Sequence, residues 1–162
     1  MKKRKIIEEK NPKERALRLL SYRNYTCAEL RERLHREAYP PDQVEEVIEW
    51  LIEIGYLNDH TTAELWIDYR NRFRPTGVYG LRHELEQRGV NPEIIDAVMN
   101  SPEKEYDLAS QLAKSRLEKL RNLPARKQYQ RIAGLLQRRG FSWDVIYRVL
   151  DSLFNSSLDT DL

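Results

Sequence analysis

The chain reads as an all-α protein made of three tandem three-helix repeats that form an elongated curved array. A fixed period and the lack of strand patterns predict it. Leu34, Leu85 and Leu136 stand 51 residues apart, and each is followed four residues later by a small residue, Ala38, Gly89 or Gly140. An apolar residue comes next each time: Tyr39, Val90, Phe141. An apolar helical pattern then starts, as Val44–Val47–Ile48, Ile94–Ile95–Val98 and Val145–Ile146–Val149–Leu150. Upstream, each block opens on an alanine in an apolar stretch: Ala16, Ala63, Ala109. A period of roughly 20–50 residues marks architectures whose units bury their apolar faces against their neighbours. No useful run of alternating β-branched residues competes with the helical reading.

Each helix has its own start and stop. Asn11–Pro12–Lys13–Glu14 supplies a cap, a proline at the first helical position and an early glutamate, so a helix is expected over 12–22. Thr26–Cys27–Ala28–Glu29 is a capping box that opens a helix over 27–37. The Val44 pattern gives a third over 41–54, and Gly55 ends it with positive φ. The second unit reads as helices over 60–72, 78–88 and 92–100, with Gly89 as a stop and Asn91–Pro92–Glu93 as a start. The third reads as 103–121, 125–139 and 143–154, opened by Ser101–Pro102–Glu103 and interrupted at Gly140. The repeats then span 11–58, 59–101 and 102–154, between a flexible basic tail at 1–10 and a frayed one at 155–162.

Composition narrows the class. The 162 residues are 33% charged and 40% hydrophobic, enough for a core beneath a large solvated surface. No run of 18 apolar residues exists to span a membrane. Met1–Lys5 has the charge of a signal-peptide start, but Ile6–Ile7–Glu8–Glu9 cannot be the apolar region that must follow. Cys27 stands alone, which excludes internal disulfides and cysteine zinc clusters and suits a reducing cytoplasm.

The net charge of +2 hides segregation. Residues 29–68 carry three arginines against eleven acids, a net of −8. Residues 114–139 carry nine bases against Glu118, a net of +8. A second basic group comprises Arg70, Arg72, Arg74, Arg82 and Arg88. Such a molecule orients itself against a polyanion or a charged protein surface. In a helix-turn-helix reader the helix after the turn carries the base contacts. Here those helices are acidic (Asp42, Glu45, Glu46, Glu49 and Glu53; then Glu93 and Asp96), and the arginines precede the turns. Nucleic-acid contacts are therefore expected at phosphates, salt-sensitive and without sequence preference, to single or double strands. The candidate residues are Arg72, Arg74, Arg82, Arg88, Arg126, Lys127, Arg131, Arg138 and Arg139, with neighbouring acids as competing partners for Arg138 and Arg139.

No reactive centre stands out. His35, His60 and His83 are scattered, with no second histidine at metal-ligand spacing. No phosphate-cradling G-x-x-x-x-G-K-[ST] exists, and Gly77–Val78–Tyr79–Gly80 reads as a flexible turn after Pro75. Neither a metal, a cofactor nor an enzymatic activity is expected. Trp50, Trp66, Trp143, Tyr56, Tyr69 and Phe73 fall at helical spacing among aliphatics, so packing is their expected role. Base stacking is the competing one for Tyr69–Phe73, whose interleaved arginines suit a single strand or a protein interface.

Three stretches together resemble the RecX family of RecA regulators, over about residues 14–153. They are Ala16–Leu17–Arg18–Leu19–Leu20 with Tyr25–Thr26, Glu29–Leu30, Leu34 and Ile54–Gly55–Tyr56–Leu57–Asn58–Asp59; then Arg74–Pro75–Thr76–Gly77 with Leu81–Arg82, Glu84–Leu85 and Arg88–Gly89–Val90; then Leu136–Gln137–Arg138–Arg139–Gly140–Phe141–Ser142 with Val145–Ile146. Two positions depart from the family pattern: Ala38 replaces a glycine and Asn58 an aspartate. Alanine resists positive φ, so the turn at Ala38 is expected to tighten or redirect, with Pro40–Pro41 compensating. The resemblance implies a non-enzymatic, monomeric, cytoplasmic crescent that binds RecA. It also implies lodging in the groove of the RecA–DNA filament and restraint of strand exchange and of the co-protease function behind the SOS response. It singles out no catalytic residue. A stand-alone nucleic-acid-binding module and a helical adaptor for another protein are the competing readings of the charges.

Overall fold

The computed structural model describes residues 11–155. Helices α1 (Pro12–Tyr22), α2 (Cys27–Arg36) and α3 (Pro41–Glu53) form the first triple. Helices α4 (Asp59–Phe73), α5 (Val78–Gln87) and α6 (Pro92–Val98) form the second, and α7 (Pro102–Lys119), α8 (Ala125–Arg138) and α9 (Trp143–Phe154) the third. No strand occurs among the described residues. The tails expected at 1–10 and 155–162 lie outside the described residues, except Asn155, which caps α9.

The caps are where the sequence places them. The Thr26 hydroxyl accepts from the Glu29 N–H, and the Glu29 carboxylate accepts from the Thr26 N–H. Asn11, Asn91 and Ser101 accept from the first turns of α1, α6 and α7. The sixth helix ends earlier than expected, at Val98, because Met99 takes extended backbone (φ −63, ψ 145) leading into Ser101–Pro102. Ser101, the residue before Pro102, is itself held out of the helical region and serves as the extended N-cap of α7.

Each triple closes its own core. Leu34, Leu85 and Leu136 are 0% exposed, as are Ala16, Ala63 and Ala109. Leu30, Val44 and Ile48 join the first cluster, Leu81 and Ile95 the second, Ile132 and Ile146 the third. The main helix–helix contacts likewise stay within a triple. The middle helices α2, α5 and α8 all end on a left-handed residue, Ala38 (φ 65), Gly89 (φ 75) and Gly140 (φ 73). In each case the next N–H reaches back five residues, from Tyr39, Val90 and Phe141 to the carbonyls of Leu34, Leu85 and Leu136. The turn at Ala38 is thus neither tightened nor redirected, contrary to the expectation from its Cβ. Ala38 is exposed and bears only the dihedral penalty, whereas a Cβ at Gly89 meets Ala28 Cβ at 2.4 Å and one at Gly140 meets Gly80 N at 2.4 Å.

Those two clashes mark the joints between repeats, and the joints share one plan. At the first, the Thr26 hydroxyl donates to the Arg88 carbonyl at 2.6 Å, and the Cys27 N–H donates to Asp59 Oδ1 at 2.8 Å. At the second, the Gly77 N–H donates to the Arg139 carbonyl at 2.8 Å, and the Tyr79 and Gly80 N–H groups donate to the Gly140 carbonyl at 3.0 and 3.3 Å. Glu105, 3% exposed, accepts from the Val78 N–H at 3.1 Å, the Ser142 N–H at 2.8 Å and the Ser142 hydroxyl at 2.9 Å. In both joints the N-terminus of one middle helix abuts the C-terminal turn of the next. An acid from the following repeat's first helix, Asp59 or Glu105, caps it, satisfying donors the helix cannot satisfy itself.

The Gly77–Gly80 pair is not a flexible turn. Gly77 is buried, and a Cβ there would lie 2.1 Å from Phe141 Cα. Its φ of −74 is open to any residue, so the glycine is there for space.

Candidate interface with nucleic acid or a partner protein

Folding uses the charges of the first repeat and spares those of the third. Arg15 pairs with Glu37 at 2.7 Å, Arg31 with Glu45 at 2.6 Å, Arg33 with Glu37 at 2.9 Å and Arg36 with Glu32. Asp42, Glu46, Glu49 and Glu53 then remain along α3, all exposed and spaced i, i+4, i+7, i+11 on one ridge. On α8 the opposite holds. Lys127, Arg131 and Arg138 repeat that spacing with Gly134 in the gap, and Arg126 stands beside them. All four are exposed, and among the described residues no carboxylate pairs with any of them. The Arg138 guanidinium lies back over Gly134, where an added Cβ would meet Nη1 at 3.0 Å. Charge segregation visible along the chain is therefore sharper on the folded surface: one acidic ridge, one basic.

The other five candidates divide by location. Arg88 is the cross-piece of the first joint. Its Nε and Nη2 donate to Glu29 Oε1 and Oε2 at 2.9 and 3.0 Å, and Nη2 also reaches the Asn24 carbonyl at 3.3 Å. Burial pushes the Glu29 carboxyl up, but the Arg88 hydrogen bonds, the Thr26 N–H and the charges of Arg88 and Arg23 outweigh it and hold it below the ordinary range. Arg82 pairs with Asp96 near the surface. Arg139 lies in the second joint and donates Nη1 to the Pro75 carbonyl at 3.0 Å. Burial lowers its pKa, and the positive charges of Arg74 and Arg70 lower it further. No acid from a neighbouring repeat pairs with Arg138 or Arg139 among the described residues. Arg72 and Arg74 are exposed at the end of α4.

The aromatics correct the packing expectation. Trp50 and Trp66 are half-buried, but Tyr56 is 66% exposed, Tyr69 50%, Phe73 71% and Trp143 52%. Along α4 the core-facing residues are Ala63 and Ile67. Tyr69 and Phe73 follow Ile67 by two and six residues, roughly 200° and 240° around the helix, so they face away. That offset is the signal that identifies them in the sequence. Trp66 is fixed between two guanidiniums, Arg70 at 4.6 Å and Arg88 at 4.8 Å from the ring centroid, and its Nε1–H donates to Glu84 at 2.9 Å. Tyr69 stacks beside it at 5.9 Å, and Phe73 follows at 5.1 Å. Trp66 and Tyr69 also wall a groove of about 700 Å³ with Arg23, Leu65, His83 and Gln87.

Nothing in the site resembles a reactive centre. His35, His60 and His83 are exposed. Among the described residues no three His, Cys, Asp or Glu side chains converge to hold a metal ion, and no helix is long and apolar enough to cross a membrane. The Cys27 thiol is pushed up to about 12 by burial and by the Asp59 carboxylate.

Comparison with known proteins matches this arrangement repeat by repeat. Family models described as the first, second and third three-helix domains of RecX match residues 13–51, 58–99 and 103–150. A regulatory protein RecX from Trichlorobacter lovleyi is 37% identical over 149 residues, covering 84% of this chain and 91% of that protein. One from Thermobifida fusca is 35% identical over 136 residues, covering 83% and 74%. The crystal structure of RecX from Lactobacillus salivarius superposes with a TM-score of 0.81 at 22% identity, over 89% of this chain and 95% of that one, a likeness of fold. A second crystal structure of a regulatory protein RecX gives 0.75 at 27% identity, over 86% and 70%.

Proposed function

This chain belongs to the RecX family, and from that premise we propose that it is a non-enzymatic regulator that binds RecA and its DNA filament and mainly inhibits it. The observation that carries the reading is the basic ridge of α8, set two repeats from the acidic ridge of α3, neither paired with an opposite charge among the described residues. An array with opposite charge on its first and third repeats can bridge a protein surface and a phosphate backbone at once, and neither contact needs a reactive group. Within this reading the protein works as a monomer in the cytoplasm, without cofactor. Arg72, Arg74, Arg126, Lys127, Arg131, Arg138 and Arg139 are the contacts, Arg139 from within the second joint, while Arg88 holds the first joint.

Titration against cognate RecA on DNA tests it. The protein lowers DNA-dependent ATP hydrolysis and LexA cleavage at substoichiometric ratios, and no effect at an excess of about tenfold over filament refutes the reading. Arg138→Glu weakens filament association and leaves helicity unchanged. A stand-alone nucleic-acid module would instead bind naked DNA with the same affinity with and without RecA.

A further inference from the structure

We propose that the C-terminal half of α4 and the joint beside it form a ledge for single-stranded nucleic acid: bases stack on Tyr69 and Phe73, and Arg74 and Arg139 hold the backbone phosphates. The proposal deepens the reading above, since it names the strand type that one basic face takes. Three observations carry it.

The rings are open and form a row anchored at Trp66. Tyr69 is 50% and Phe73 71% exposed, so water covers apolar surface that the fold leaves unused. They continue from Trp66, which is immobilised by Arg70, Arg88 and Glu84. The row Trp66, Tyr69, Phe73 keeps centroid spacings of 5.9 and 5.1 Å. Contact with its neighbour along the row reduces the side-chain freedom each ring has left to lose on binding.

The charge at its end is uncompensated. Arg139 is drawn against the Pro75 carbonyl at 3.0 Å and feels Arg74 and Arg70 as like charges. Arg70 has Glu84 at 2.9 Å, but among the described residues no carboxylate pairs with Arg74 or Arg139. The backbone fixes that crowding: the Thr76 hydroxyl donates to the Arg74 carbonyl at 2.7 Å, and the Gly77 N–H to the Arg139 carbonyl at 2.8 Å. Like charges held together are relieved by an anion, and guanidinium suits phosphate.

The combination selects the strand. A duplex satisfies arginines through its phosphates but hides its base faces, and it gives Tyr69 and Phe73 nothing to stack on. A single strand supplies both. Asp68 and Glu64, exposed one and two turns upstream, close the basic stretch at the other end.

Fluorescence anisotropy of the full chain, without RecA and at low salt, tests the ledge with labelled oligo(dT) and a duplex of equal length. Phe73→Ala and Tyr69→Ala each cut oligo(dT) affinity roughly five- to hundredfold and leave duplex binding unchanged. Phe73→Trp restores it, which separates stacking from folding. Arg74→Ala lowers the slope of log affinity on log salt by about 0.7 for the single strand. Equal losses on both nucleic acids, no loss in the alanine variants, or no binding of oligo(dT) by the wild type overturns the proposal. Alanine variants that keep oligo(dT) affinity but no longer inhibit RecA make the ledge a protein contact; that result sinks this proposal and leaves the regulator standing.

Discussion

Replacing Gly77 by alanine separates two uses of glycine, because the two predict opposite signs. Gly77 has φ −74, which alanine adopts freely. On backbone entropy alone the substitution stabilises by about 0.4–1 kcal/mol, since it narrows the unfolded ensemble. The second joint predicts the reverse. The new Cβ would lie 2.1 Å from Phe141 Cα, 2.3 Å from Phe141 N and 2.4 Å from the Gly140 carbonyl oxygen. All three are backbone atoms, so relief requires the repeats to part. Three hydrogen bonds cross at that point, from Gly77, Tyr79 and Gly80 to the carbonyls of Arg139 and Gly140. At roughly 1 kcal/mol net each, their loss costs about 3 kcal/mol. Gly55→Ala is the control. Gly55 has φ +77 and nothing within 4 Å of an added Cβ, so it bears only the left-handed penalty of about 1–2 kcal/mol. Urea denaturation followed by circular dichroism measures both, and amide exchange at Gly77, Tyr79 and Gly80 localises the effect. Gly77→Ala as stable as wild type, or less costly than Gly55→Ala, would show that the joint is loose and the argument for it mistaken.

Three further outcomes follow from the same geometry. Gly89→Ala carries both penalties, φ +75 and a contact of 2.4 Å with Ala28 Cβ, so adding Ala28→Gly to it recovers the contact part, about 1 kcal/mol or more, and purely additive losses in the double variant refute the contact. Glu29, Glu37 and Glu45 are held below their ordinary value of 4.5 (in Glu29 the arginine pairing wins over burial, in the others it leads), so their stabilisation is complete above pH 4.5 and disappears as pH falls through the lowered values. Denaturation midpoints that are flat from about pH 5 to 8 and drop at lower pH, less steeply in Glu29→Gln, bear this out, whereas a Glu29→Gln profile parallel to wild type counts against it. Cys27 at about 12 rather than 9.0 holds about a thousandfold less thiolate at pH 8, so iodoacetamide alkylates the native chain far more slowly than the urea-unfolded one, and equal rates would refute the shielding of the thiol by burial and by Asp59 together.

The cores were legible because periodicity reports burial directly. Leu34, Leu85 and Leu136 recur at fixed spacing, and all three are wholly buried. Stops at Gly55, Gly89 and Gly140 were legible because left-handed backbone favours glycine. The joints were not, since they bring together residues some 60 positions apart and leave no local pattern. Arg88 and Arg139 look like any surface arginine until Glu29 and the Pro75 carbonyl are placed beside them. Gly77 misled for a related reason. A glycine needed for space at an ordinary φ has the same sequence signature as one in a turn. The exposed rings of α4 were read as core because aromatic content was weighed without phase; Ala63 and Ile67 fix the phase and turn Tyr69 and Phe73 outward.

The stretches that carry the family resemblance turn out to be in contact with one another. Tyr25–Thr26 and Glu29 meet Thr62 and Arg88, and Cys27 meets Asp59, at one joint, while Arg74–Pro75–Thr76–Gly77 meets Arg139–Gly140–Phe141 at the other. The motifs therefore describe how repeats are spaced and say little about what their outer faces touch. If the ridges of the first and third repeats both meet one extended partner, as proposed, spacing is the quantity that has to be right, because contacts two repeats apart can form together only at one pitch. Interface charges tolerate exchange one at a time, each changing affinity by a modest factor. A joint opened by one methyl group moves every contact beyond it, so Gly77→Ala is expected to weaken filament inhibition more than loss of any one exposed arginine, although no atom of Gly77 reaches the surface ridges.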